Sequence, residues 1–303
     1  MINFLKIKRG KASDSTFRNY HQNVIKAGEF VVLPMISLQK RILTSFILST
    51  TLIFSCSEGK MSEETVQSNN PKDSLSLLAN QYPDSIQLQI QLQEAIYSSG
   101  DTLQALKNLQ QLIQKFPDNQ ELNNAVAVIH LQQEDTASAK AALLQSLANN
   151  QNQPNIEFEL AFLEAANKNK TALEIADRMI ARYAERDIQA KGHFAKGIYY
   201  ANISQPKKAI QELDSAIIKN FTLIDAYIEK AILQLENNEA SNTIATLSKA
   251  IALDKKNADI LFWMGKAYQQ KKEFDQALLY FSETIKVDPT NTAAQQAIDE
   301  LKK

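Results

Sequence analysis

Residues 258–291 read ADILFWMGKAYQQKKEFDQALLYFSETIKVDPTN, and this stretch decides the fold. Its first half sets Leu261, Met264, Gly265 and Tyr268 at helical spacing. Its second half does the same with Phe274, Ala277, Leu278, Phe281, Ile285 and Val287. Pro289 stands where a helix should stop. The pattern recurs up the chain: Ala105, Ala139, Ala172, Ala209, Thr243 and Ala277 lie 34, 33, 37, 34 and 34 residues apart. A period near 34 marks a stack of two-helix units, because one such unit cannot bury its own apolar face.

Aligned on these residues, the chain divides into six units: 86–119, 120–152, 153–189, 190–223, 224–257 and 258–291. Small residues recur because antiparallel helices approach closely only where side chains are short, so Gly265 and Ala277 are expected to meet at a crossing. The fourth unit carries Gly197, Tyr200, Ala209, Leu213 and Ala216, and the fifth Tyr227, Ala231, Thr243, Leu247 and Ala250. The second unit carries Ala127, Ala139 and Leu143. Asp101 and Asp135 fit the N-cap of second helices, and Ser204 with Pro206 fits the same place in unit four. The third unit departs most. Leu160 replaces the small residue, and the step that follows is three residues longer, predicting bent or extended helices near 183–188.

These residues resemble the tetratricopeptide repeat family over roughly 86–291. The family carries a small residue at repeat position 8, an aromatic at 11, Ala at 20, an aromatic or leucine at 24, a small residue at 27 and often Pro at 32. Unit six matches at Gly265, Tyr268, Ala277, Phe281 and Pro289, with Thr284 at position 27. The resemblance implies an all-α fold: a right-handed solenoid of about six helix-turn-helix repeats with a capping helix at each end. Residues 74–84 read as a lone second helix at the amino end, and 292–303 as a polar cap at the other. The solenoid is expected over 74–303.

The amino-terminal segment reads as an address. Residues 40–56, KRILTSFILSTTLIFSC, place Lys40 and Arg41 before an uncharged apolar run that ends at the chain's single cysteine, Cys56. The run is short for a transmembrane helix. Ile53-Phe54-Ser55-Cys56 resembles a bacterial lipoprotein processing box, with Phe54 where a small residue is usual, as in Bacteroidetes-like bacteria. That resemblance implies a signal peptide over 35–55, cleavage before Cys56 and lipid attachment to it, with the chain held at an outer membrane. The competing reading is a short uncleaved anchor with an incidental cysteine. Residues 1–34 fit neither role, and Met35 is the expected translation start. Residues 56–73 read as a flexible polar tether.

Of 33 basic and 34 acidic residues, eight basic and two acidic lie in 1–55, so the remainder is mildly acidic. That balance argues against nucleic acid and against headgroup binding through a polybasic segment. No HExxH, GxSxG or phosphate-cradling glycine loop occurs, and one cysteine with His21, His130 and His193 makes no metal-ligand spacing. The expectation is a non-enzyme without cofactor or metal. The histidines and Trp263 read as packing residues.

In the family the first helices line a concave surface. Carried onto this chain, the resemblance implies a partner groove at Lys191, Phe194, Ile198, Asn202, Ile228, Ile232, Leu235, Phe262, Lys266 and Gln270. Apolar centres ringed by lysine and amides suit an extended peptide or an amphipathic helix. The same side chains could instead pack between repeats. Lys191 and Lys266 are two units apart, which does not make a compact carboxylate clamp. The expected role is a membrane-anchored scaffold that binds a protein partner within a cell-envelope assembly. The architecture resembles lipoproteins of pilus assembly and those that dock cell-wall hydrolases. An accessory part in glycan uptake is the alternative. The sequence sets no oligomeric state.

Overall fold

The repeating small residues Ala105, Ala139, Ala172, Ala209, Thr243 and Ala277 are all sealed, at 0 % exposure. The structure is a computed structural model describing residues 71–302 apart from 118, 134, 150 and 151. The expected translation start and signal peptide over 1–55, Cys56 and the expected tether up to residue 70 lie outside the described residues.

The described residues form fourteen helices and fall into two compact units, divided after Asp135. The first contains α1 (Pro71–Gln81), α2 (Ile86–Ser98), α3 (Thr102–Lys115) and α4 (Gln120–Gln132). Each packs on the next, and α2 also touches α4. Its core gathers Ile90, Ile96, Ala105, Leu109, Leu122, Ala125 and Ile129. The tether was read to residue 73, but the α1 helix already begins at Pro71. Proline suits that place, since its missing N–H would have had no helical partner.

The second unit contains α5 (Thr136–Asn149), α6 (Pro154–Ala166), α7 (Thr171–Arg182), α8 (Arg186–Asn202), α9 (Pro206–Lys219), α10 (Ile224–Glu236), α11 (Ala240–Leu253), α12 (Ala258–Gln270), α13 (Phe274–Val287) and α14 (Thr292–Leu301). Successive helices pack together, and α6, α8, α10 and α12 also touch in turn, so the first helices form a continuous row. The long step between Ala172 and Ala209 is absorbed by α8, which has 17 residues where α6, α10 and α12 have 13. The extra residues add about one turn at its start. The expected extension near 183–188 is therefore found, and the three-residue connection 183–185 stays short.

The crossings run differently from expectation. A Cβ on Gly265 would come within 2.6 Å of the Phe281 ring, and one on Gly197 within 2.8 Å of Leu213 Cγ. The small residue makes room for repeat position 24, not for Ala277. Unit three reverses the sizes: Leu160 sits at the small position and Ala176 at position 24, both buried. Its departure from the pattern is thus a volume-conserving exchange.

Helix-to-helix turns share one backbone device. Gly100, Lys168, Ser204, Asn238 and Lys272 have φ of 94°, 60°, 62°, 62° and 63°. In unit one the Gly100 amide donates to Tyr97 O and the Asp101 amide to Ile96 O; in unit six Lys272 donates to Gln269 O and Glu273 to Tyr268 O. This pair of bonds satisfies carbonyls that a helix end leaves open. Asp101 then caps α3 by accepting from the Gln104 amide at 3.2 Å, as expected. Ser204 is the left-handed turn residue and not the N-cap; Gln205 precedes α9, and Pro206 opens it.

Candidate functional site

The row of first helices carries the residues expected to face a partner, and the structure divides them into two groups. Phe194 (1 % exposed), Ile198 (6 %), Ile228 (8 %) and Ile232 (8 %) are core residues. Phe194 stacks on Phe162 with ring centroids 5.8 Å apart and planes 7° apart, and lies 6.3 Å from Phe158. These two aromatics of α6 fill the face of Phe194 that was expected to be open. Ile228 and Ile232 belong to a cluster with Tyr227, Leu247, Ile260 and Met264.

Lys191, Asn202, Leu235, Phe262 and Lys266 are half-buried, and Gln270 is exposed. Several are already engaged across the repeats. Lys191 Nζ donates to Asn155 Oδ1 at 3.1 Å, lies 3.5 Å from Asp187 and sits over the Phe158 ring. Asn202 Nδ2 donates to Ala165 O at 3.2 Å, and Gln270 Nε2 donates to Leu235 O at 3.0 Å and Asn238 Oδ1 at 3.3 Å. The amides read as partner contacts thus tie each first helix to the carboxyl end of the one before it.

A strip of the remaining expected residues runs along α10 and α12. Asp259, Phe262, Lys266 and Gln269 follow one another at spacings of three and four, so they share a face of α12. The two helices are joined at the far end by Gln270 and Leu235 O. At the near end Asp225 feels the Asp259 carboxylate. Burial, then this like charge, pushes the Asp225 carboxyl up to about 6. Phe262 is held edge-on to Trp263 at 5.3 Å and tilted against Phe281 at 5.8 Å, so its ring is rigidly placed. Lys266 Nζ donates to Gln269 Oε1 at 3.0 Å. The strip offers an apolar ring, a cation, amides and two carboxylates. Among the described residues no group of three or more His, Cys, Asp or Glu side chains is placed to hold a metal ion.

Sequence reading missed the buried charges of α6. Glu157 and Glu164 are sealed and pair with Arg182 at 2.8 Å and Lys140 at 2.5 Å. Burial raises the Glu157 carboxyl, opposed by Arg182 and Arg178. Glu159 is pushed up to about 8 by burial, with Lys191 opposing. The signal was present: three glutamates stand among the apolar residues of IEFELAFLEAA, at positions that a helix buried on most sides must fill. His193 was read as core filler. It is half-buried with Nδ1 2.7 Å from Glu212 Oε2, and Lys196 bridges Glu212 at 3.0 Å and Asp177 at 2.9 Å. Burial alone would raise Glu212, but hydrogen bonds from His193 and Lys196 outweigh it and hold the carboxyl below its ordinary value.

The tetratricopeptide repeat family model matches residues 97–157 and 234–301. The fold is a tetratricopeptide-repeat solenoid. A tetratricopeptide repeat protein from Parabacteroides merdae ATCC 43184 superposes with a TM-score of 0.59 at 13 % identity, over 77 % of this chain and 91 % of that one. PilW, described as a widely conserved type IV pilus biogenesis factor, gives 0.56 at 16 % identity over 70 % and 97 %. The Cut9–Hcn1 hetero-tetramer structure gives 0.56 at 14 % over 77 % of this chain and 46 % of that one. No curated protein matches the sequence. Between the two matched segments lie most of α6, with Glu159 and Glu164, and the long α8 of this tetratricopeptide-repeat solenoid.

Proposed function

We propose that this chain is an anchored scaffold that holds an extended or helical segment of a protein partner along the α10–α12 strip. The carrying observation is that these two helices are tied at Gln270–Leu235, and that Phe262 stands half-buried and rigidly held by Trp263 and Phe281 on the face that also carries Lys266 and Gln269. A rigid half-buried aromatic ringed by polar groups is the arrangement that recurs at protein-binding hot spots. Asp225 makes no hydrogen bond or ion pair to the described residues, and it favours a partner with a basic side chain opposite it.

The anchor in this reading is lipid on Cys56, in a bacterial cell envelope and at its outer membrane. The apolar run ending at that cysteine supports it. No helix among the described residues is long and apolar enough to cross a membrane.

The test is cross-linking of the full chain in envelope extract, followed by the same experiment with Phe262→Ala and Lys266→Glu. Loss of one cross-linked protein in both variants, with helicity kept, supports the reading. Saturable glycan binding with no protein cross-linked would overturn it in favour of an uptake role.

A further inference from the structure

The two ends of the solenoid are finished differently. At the carboxyl end, α14 buries Ala294, Ala297 and Ile298 and turns Gln295, Gln296, Asp299 and Glu300 outward. At the amino end, α1 holds the register of a second helix, and among the described residues no first helix precedes it. The repeat register pairs Leu75 with Leu109 and Leu78 with Leu112. Leu109 is fully sealed and Leu112 packs on the same cluster, whereas Leu75 is only half-buried and Leu78 is 43 % exposed. Leu77 and Tyr82 beside it are 57 % and 53 % exposed. Leu78 and Tyr82 are four residues apart, and the Tyr82 amide bonds Leu78 O, so both project on one side of the same turn. The expected polar outer face is therefore absent at this end.

The tether between Cys56 and α1 does not suit this face. Residues 57–70, SEGKMSEETVQSNN, offer only Met61 and Val66 as aliphatic side chains, whereas the first helices each need an apolar stripe. The polar outer face of α14 does not suit it either, which argues against a second copy stacked end to end. Distance favours a third occupant. Fourteen residues separate Cys56 from α1, a reach of at most roughly 50 Å.

We propose that α1 lies on the surface of the bilayer that holds Cys56, with Leu77, Leu78 and Tyr82 in the boundary between headgroups and acyl chains. This rests on the lipid-anchor reading of Cys56. Two leucines and a tyrosine supply the apolar face and amphipathic ring that interfacial contacts use. The only charges in α1 are Lys72 and Asp73, so the contact is indifferent to anionic lipid and to salt. Each attachment alone is weak; joined by a short linker, they raise one another's effective concentration and hold unit one at the membrane.

The experiment uses the full chain, lipidated in cells and reconstituted into phosphatidylcholine vesicles. Trp263→Phe removes the only native tryptophan, and Tyr82→Trp places a reporter on α1. Quenching by acyl chains brominated near the headgroup, unaffected by salt and lost in Leu77→Glu/Leu78→Glu, is the expected result. No quenching in the lipidated protein overturns the proposal, as does a concentration-dependent dimer that Leu78→Glu abolishes. Mass spectrometry of Cys56 separates the two readings. Absence of lipid there defeats the anchor, while lipid with an unquenched reporter defeats only the α1 contact.

Discussion

Gly265 on α12 and Phe281 on α13 occupy one volume between them: the ring atoms Cε1 and Cδ1 stand 2.6 and 2.7 Å from where a glycine Cβ would be. Phe281 is fully buried and has no free end to move aside. Gly265→Ala is therefore expected to destabilise by about 1–3 kcal/mol. Adding Phe281→Leu should recover part of the loss, because unit five pairs Ala231 with Leu247 in the same places, both at 0 % exposure. Urea unfolding of the single and double variants measures it, and strictly additive losses would refute the pairing.

Lys272 holds a left-handed φ of 63° without the freedom of glycine. That conformation costs an L-residue roughly 1–2 kcal/mol. Lys272→Gly is expected to raise the unfolding midpoint, offset in part by the greater freedom of glycine in the unfolded chain. Gly100→Ala, at φ 94°, should lower it. Thermal melts of the two variants should move in opposite directions.

Arg182 neutralises the sealed Glu157 of α6. Arg182→Met leaves that carboxylate buried without its cation and is expected to cost about 3–5 kcal/mol. Glu157→Gln in the same chain should restore most of the loss. Chemical denaturation of the pair decides between an ion pair and simple packing by the arginine stem.

Glu159 titrates at about 8 against an ordinary value of 4.5. A raised carboxyl binds its proton more tightly when folded, so its support for folding is full below pH about 4.5 and fades as pH rises to about 8. Stability should fall across that window in the native chain, and the fall should be smaller in Glu159→Gln. Asp225, raised to about 6, adds to the lower part of the same window. Melting temperatures from pH 5 to 9, flat in native chain and variant alike, would contradict this.

Asp225→Asn separates folding from binding. Removing a carboxylate that faces Asp259 should stabilise the free protein near neutral pH, while removing the acid offered to a basic partner should weaken capture. Calorimetric melting checks the first effect and quantitative cross-linking the second. Equal movement of both in one direction would mean the carboxylate serves folding alone.

The repeat was legible because period and size are local to the sequence. Ala209 and Gly197 announce a close crossing wherever they stand in a helical pattern. Their partner was not legible, since whether Gly265 faces Ala277 or Phe281 depends on how the helices rotate. Unit three looked irregular because the size exchange between Leu160 and Ala176 conserves volume, which a position-by-position match cannot register. The site was read less well. Phe194 and Phe262 occupy the same repeat position, yet Phe194 is sealed by Phe158 and Phe162 from the preceding repeat, whereas the residues at those two places in the repeat before Phe262 are Glu229 and Leu233. Exposure there is a property of neighbouring units and not of the position.

The bonds from Asn202 to Ala165 O and from Gln270 to Leu235 O each join a side chain of one repeat to the backbone of the repeat before it. The donor must be the right residue, but the acceptor is a carbonyl that every residue carries. A repeat bearing the amide can therefore follow any predecessor whose helix ends in register, whatever its sequence. Such a joint tolerates duplication, loss and reordering of units while its neighbours diverge. It accounts for a stack in which adjacent repeats share a register and almost no residues.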